Sequence, residues 1–290
     1  MSSVGTIAIT EEISESRKTA LLNLLTDEDP AIFETVREQI LAFGPQATHW
    51  LRPHLLSNDP TLRRRARQIV QHFERQAADN LFLSFCLNHG EEFDLEQAVW
   101  LLAQTQYPEI NLDGYHALLD TFAEELRERL EGVASVTNIL ATLNGYLFEE
   151  LEFAGNVEDY YDPENSYLNR VIDRRTGNPI NMCLVYLLLG RRLQLPIAGI
   201  GLPGHFICRY QSSAGSVYVD PFNRGQLLSK AECVHYLLQG SYSVRDDYLA
   251  PVSSRRVLLR ICGNLHQIYR HLEQADQAKR LQHYLIALAR

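Results

Sequence analysis

Cys183, His205 and Asp220 follow one another in a stretch that reads as one apolar helix followed by strands. A thiol, an imidazole and a carboxylate in that order are the parts of a nucleophilic acyl-transfer site. The thiolate attacks a carbonyl, the imidazole takes and returns the proton, and the carboxylate holds the imidazole in its useful tautomer. Cys183 lies in Asn178-Pro179-Ile180-Asn181-Met182-Cys183-Leu184, where Asn178 suits the helix cap and Pro179 the first helical position. This places the cysteine near a positive helix end, which lowers a thiol pKa, although with Asn178 as the cap the thiol is already one turn in and the effect is weaker.

The elements that must position these groups are legible around them. Residues Ile197–Gly201 and His205–Tyr210 have the β-branched and aromatic character of strands, bounded by Pro196, Pro203 and Gly204. Gln211–Ser216 supplies a hairpin loop, and Val217–Asp220 returns as the neighbouring strand until Pro221 ends it. His205 and Asp220 thus begin and end two antiparallel strands, and they meet if they share a face.

The helix-then-strands order of Cys183, His205 and Asp220 resembles the transglutaminase-like core, which is related to papain. The segments Asp159-Tyr160-Tyr161-Asp162-Pro163-Glu164-Asn165-Ser166, Gly177-Asn178-Pro179-Ile180, Gly201-Leu202-Pro203-Gly204-His205-Phe206 and Asp220-Pro221-Phe222-Asn223 are similar to those of the bacterial SirB-type regulatory proteins, a transglutaminase-like family. The likeness runs from Phe93 to Leu228 and continues more loosely at the C-terminus. It implies a cysteine triad of Cys183, His205 and Asp220. Among the amides near the nucleophile, Asn165, Asn169, Asn178 and Asn181, it singles out Asn165 as a donor to a developing oxyanion.

Each of these residues also has a plainer reading. Cysteine is often buried, so Cys183 is a core residue or a nucleophile. His205 is a turn histidine or the base, and Asp220 caps the Pro221-Phe222-Asn223 turn or orients the imidazole. A metal site is the rival use of Cys183, His205, Cys208 and Asp220, but there is no Cys-x-x-Cys pair, and His205 and Cys208 differ by an odd number on a strand and so point to opposite faces. Cys233 and His235, two apart on a helix, share a face poorly. No metal and no cofactor is expected.

The chain has 290 residues, 46% of them hydrophobic and 22% charged, which is ample for a packed core. A net charge of −9 argues against general nucleic-acid binding, since the basic run Arg63-Arg64-Arg65 with Arg67 reads as a solvated helix face. Five scattered cysteines are the usage of a reducing compartment. Residues 1–12 have neither a basic start nor a long apolar run, and no stretch reaches membrane-spanning length. The expected localisation is cytoplasmic, without a membrane.

Asp29-Pro30 and Asp59-Pro60 stand 30 residues apart and each opens a helical pattern in which Arg37 matches Arg67, Ile40 matches Val70 and Phe43 matches Phe73. Such cap-and-first-residue pairs between helices resemble HEAT units, expected to pack on the core through Leu81, Phe82, Leu83 and Phe85. Further amphipathic helices are expected over Leu95–Gln104, Leu112–Leu130 and Val133–Leu151. Near the C-terminus, Val257–Tyr269 and Ala275–Ala289 resemble a tetratricopeptide-like hairpin. The fold class is therefore α+β and mainly helical: a HEAT-like region over 1–90, a transglutaminase-like core over 91–250 and a helical hairpin over 251–290. The function this implies is amide hydrolysis or acyl transfer by the triad, or a regulatory module whose helical ends or cleft bind a protein. In both cases the partner is a protein or peptide.

Overall fold

The computed structural model describes residues 13–213, 215–240, 242 and 246–290. Residues 1–12, read as having neither a basic start nor a long apolar run, and Ala214 of the hairpin loop lie outside the described residues.

The chain divides into two compact units after Ala77. The first unit holds α1 (Glu15–Leu24), α2 (Pro30–Ala42), α3 (Ala47–Leu51) and the first part of α4 (Pro60–Asn88). Both Asp-Pro pairs act as the repeat implies. The Asp29 carboxylate accepts from the Ala31 N–H, and that of Asp59 from Thr61 and Leu62, with each proline opening its helix. The matched Ile40 and Val70 are both buried, in a core with Leu25, Leu51, Ile69 and Phe73. The basic run is only partly a solvated face. Arg63 donates to Ser57 O, and Arg65 donates to Leu25 O and Asp27 O while lying over the Phe33 ring.

The second unit, from Ala78 onward, continues with α5 (Leu95–Gln106), α6 (Leu112–Arg129) and α7 (Val136–Asn144), the last running on through one π-helical turn to Glu150. Next come β1 (Ala154–Gly155), α8 (Leu168–Arg174), β2 (Thr176–Gly177) and α9 (Pro179–Arg192). Then β3 (Ile197–Ile200), β4 (Ile207–Ser212), β5 (Gly215–Asp220) and β6 (Gln226–Leu228) form one antiparallel sheet in chain order. The chain ends with α10 (Lys230–Gln239), α11 (Ser254–His271) and α12 (Ala275–Leu288). The fold is mainly helical with small sheets, as the sequence reads.

Helix α9 is apolar nearly all round, and such a helix must be covered on every side. Ile180, Cys183, Leu184, Tyr186 and Leu189 are all buried, and the helix packs against β3 and β4. The surrounding core gathers Phe82, Trp100, Tyr146, Phe153, Tyr167 and Phe206, each contributing roughly 1.5–3 kcal/mol by burial.

Three placements correct the sequence reading. The boundary falls at Ala77 inside α4 rather than at 90, because Phe82, Phe85 and Cys86 already belong to the second unit's core. Leu81 is 56% exposed instead of packed, since it lies on the outer face of α4. Helices α11 and α12 share the main core through Leu258, Leu265, Leu281 and Tyr284 and do not form a separate third domain. A pair of helices cannot bury its own apolar stripe, so it borrows the core beside it.

Candidate functional site

His205 enters the site from a tight turn. The sequence Leu202-Pro203-Gly204-His205 closes with a His205 N–H to Leu202 O bond of 3.2 Å, and Gly204 has φ +74°. Proline pre-sets the second position of such a turn, and the positive φ at the third favours glycine. Arg260 of α11 fastens the turn from outside, its Nη2 donating to both Leu202 O and His205 O (2.7 Å to the latter). Strand β4 therefore starts only at Ile207, two residues later than expected.

Asp220 closes β5. Cys208 pairs with Val219 across β4 and β5, so Asp220 stands one step beyond, within reach of His205, two residues before β4 begins. His205 Nε2 donates to Asp220 Oδ2 at 2.7 Å. The carboxylate also accepts from Asn223 Nδ2 at 2.8 Å, while its Oδ1 accepts from the Phe222 and Asn223 N–H groups. Both readings of Asp220 thus hold together: one oxygen caps the turn, and the other orients the imidazole. Burial pushes the Asp220 carboxyl up, but the hydrogen bonds from His205 and Asn223 outweigh it and hold the group below its ordinary value. Because an ionised carboxylate only accepts, Nε2 carries the proton, and Nδ1 makes no hydrogen bond to any described residue.

Cys183 makes no hydrogen bond to His205 or Asp220; its thiol is bonded elsewhere. Asn178 caps α9, its Oδ1 accepting from the Asn181 N–H at 3.0 Å, with Pro179 next. The thiol is therefore beyond the first turn and turned inward. It is fully buried, and Sγ donates to Phe206 O at 3.3 Å. The expected lowering of its pKa is corrected: burial pushes the thiol well above the ordinary value, and the neighbouring Cys208 adds to the shift.

Asn165 is likewise an interior residue. Its Nδ2 donates to Asp159 O and Tyr160 O, and its Oδ1 accepts from Asn156 Nδ2. With both ends of the amide committed, it holds the 156–161 loop in place and has nothing left to offer an oxyanion, which corrects that expectation. Asn178 Nδ2 is bound to Ser166 in the same network.

The open surface of the site is a cleft of about 320 Å³, lined by Tyr160, Tyr161, Asn178, Pro179, Ile180, Gly204, His205, Phe206, Arg260, Asn264, Gln267 and Ile268. That volume lies at the small end for ligand sites. A second cleft of similar size, bounded by Asp220, Asn223, Glu232 and Tyr236, also meets His205. The sequence reading missed Arg260, Asn264 and Gln267. Their spacing of four and three is a polar stripe on one face of α11, and only their distance in sequence from His205 hid it. Among the described residues no cluster of three or more His, Cys, Asp or Glu side chains is arranged to hold a metal ion, and no helix is long and apolar enough to cross a membrane.

Residues 113–263 match the family described as Transglutaminase-like superfamily. Over 208 residues the chain is 36% identical to a UPF0162 protein of Xylella fastidiosa, which covers 69% of this chain and 73% of that one. A UPF0162 protein of Pseudomonas aeruginosa is 29% identical over 192 residues, 63% of this chain and 67% of its own. F-box only protein 21 of Homo sapiens is 29% identical over 250 residues, 74% of this chain and 38% of that protein. No solved structure gives a significant match.

Proposed function

We propose that this chain, which belongs to the transglutaminase-like superfamily, is a SirB-type regulatory module that binds a peptide of a protein partner in the His205 cleft without cysteine chemistry. The observation that carries this reading is the burial of Cys183, which does not itself line the cleft and whose thiol is tied to the backbone oxygen of Phe206 in the cleft wall. A nucleophile must reach the carbonyl it attacks and must ionise near neutral pH. The environment of Cys183 opposes both.

In this reading the His205–Asp220 pair is a fixed recognition element. The rim of Tyr160 and Tyr161, 38% and 60% exposed, supplies the amphipathic aromatic surface that peptide sites favour. The likeness to F-box only protein 21 over 74% of the chain points the same way, towards contact with other proteins. Five free, buried cysteines support a cytoplasmic setting, where thiols stay reduced.

The second reading is cysteine-dependent amide hydrolysis or acyl transfer by Cys183, His205 and Asp220, and the retained His205–Asp220 bond favours it. Peptide retention by Cys183→Ala and His205→Ala separates the two. The binding reading expects Cys183→Ala to bind peptide as the parent does and His205→Ala to bind about tenfold less. A need for Cys183, or a hydroxylamine-labile acyl adduct on it, would instead establish the covalent chemistry.

A further inference from the structure

Four arginines around the core are committed to carboxylates. Arg170 binds Glu164, Arg174 binds Asp162 and Glu164, Arg191 binds Asp94, and Arg192 binds Glu96 and Asp120. Arg260 has no carboxylate partner among the described residues, as is also true of Arg255, but where Arg255 uses Nε, Nη1 and Nη2 on backbone carbonyls, Arg260 spends only Nη2 on two of them, is partly buried behind the turn and lines the cleft. Its remaining donors, on Nε and Nη1, make no hydrogen bond to a described residue. Burial works against its charge, yet a guanidinium keeps its proton in proteins.

The polar groups around it include no anion. No Asp or Glu lines the cleft, whereas Asn264 and Gln267 stand on the same face of α11 and bring amide donors. Neither amide makes a hydrogen bond to a described residue. Across the cleft lie Pro179 and Ile180, the first turn of the 14-residue helix α9, whose end carries positive partial charge. In a chain of net charge −9, this is a local concentration of donors around an uncompensated cation. A partly buried cation with no anion is costly, and a ligand carboxylate relieves that cost.

We propose that the peptide bound in the His205 cleft is anchored by a carboxylate on Arg260, seated between the Asn264 and Gln267 amides and the first turn of α9, with its apolar neighbour against Tyr160 and Tyr161. The proposal rests on the peptide-binding reading and names the chemistry of its ligand. The carboxylate comes from an acidic side chain or from a chain terminus, and the two are separable by experiment.

The test pans the immobilised full-length chain against three pools of N-acetylated random hexapeptides. One pool has a free C-terminus and no Asp or Glu, one is amidated with a central Glu, and one is amidated with a central Gln. A carboxylate pool should be retained about tenfold or more above the Gln pool, and which one identifies the source. The double substitution Asn264→Asp with Gln267→Glu leaves Arg260 and its carbonyl bonds in place but fills the cleft with negative charge, so it should abolish the preference. If all three pools are retained equally and lost in His205→Ala, the peptide-binding reading stands and the carboxylate anchor is overturned. A preference that persists in the double variant overturns the anchor as well. Retention of no pool overturns both.

Discussion

Replacing Arg255 by alanine is expected to cost about 3 kcal/mol of folding stability, the upper end for hydrogen bonds to a charged group whose buried acceptors are left unpaired. Arg255 is 8% exposed, and its guanidinium reaches two helix ends at once. Nε and Nη2 donate to Leu288 O and Ala287 O at the end of α12, and Nη1 donates to Cys86 O and His89 O at and just beyond the end of α4. Carbonyls in the last turn have no partner within their own helix, and the dipole makes that end attract a cation. Alanine would leave these acceptors buried and unpaired. Lysine keeps the charge but not the planar fork, so Arg255→Lys should recover only part of the loss. Urea denaturation of the parent and both variants measures this, and an Arg255→Ala cost within about 0.5 kcal/mol, as for an ordinary surface change, would refute the assignment.

The second large effect is expected at Asp220. Asp220→Ala removes the cap of the 221–223 turn, worth about 1 kcal/mol, and a charge-assisted bond to His205, worth about 1.5–3 kcal/mol. The pH dependence has a definite sign. Hydrogen bonds hold the native carboxyl below its ordinary value against the opposing push of burial. Its stabilising contribution is therefore present above the unfolded carboxylate value of about 3.9 and is lost as pH falls through the lower native value. The stability gap between the parent and Asp220→Asn should be constant from about pH 6 down to about pH 4 and should close below that. Urea midpoints across that range measure it. A gap that widens in acid would show that the carboxylate is not held ionised by its partners.

Much of this was legible in local sequence because the signals are local. Asp29-Pro30, Asp59-Pro60 and Asn178-Pro179 all cap helices as their chemistry implies, and the pairing of β4 with β5 follows from alternation and the intervening loop. The meeting of His205 with Asp220 needed only antiparallel geometry. What was not legible depends on facing. Residue type and order put Cys183 near the site, but the thiol's direction is set by the phase of α9 against β4, and an apolar helix gives no amphipathic cue to that phase. Asn165 was misread for a related reason: an amide in a loop looks free until the backbone groups that saturate it, Asp159 O and Tyr160 O, are seen folded around it. The contribution of α11 was hidden because Arg260, Asn264 and Gln267 reach the cleft only through tertiary packing.

A cleft that works without a cysteine nucleophile requires an unreactive Cys183, and the alkylation rate of that thiol reads this out. Alkylation by iodoacetamide is followed against pH by peptide mass spectrometry in the parent and in His205→Ala. A thiol buried against Phe206 O, with its pKa pushed up, should label slowly, with no midpoint below the ordinary cysteine value of about 8.5 and with no response to His205→Ala. Rapid labelling with a midpoint well below that value, rising when His205 is removed, would reveal an activated thiolate and establish Cys183 as a nucleophile.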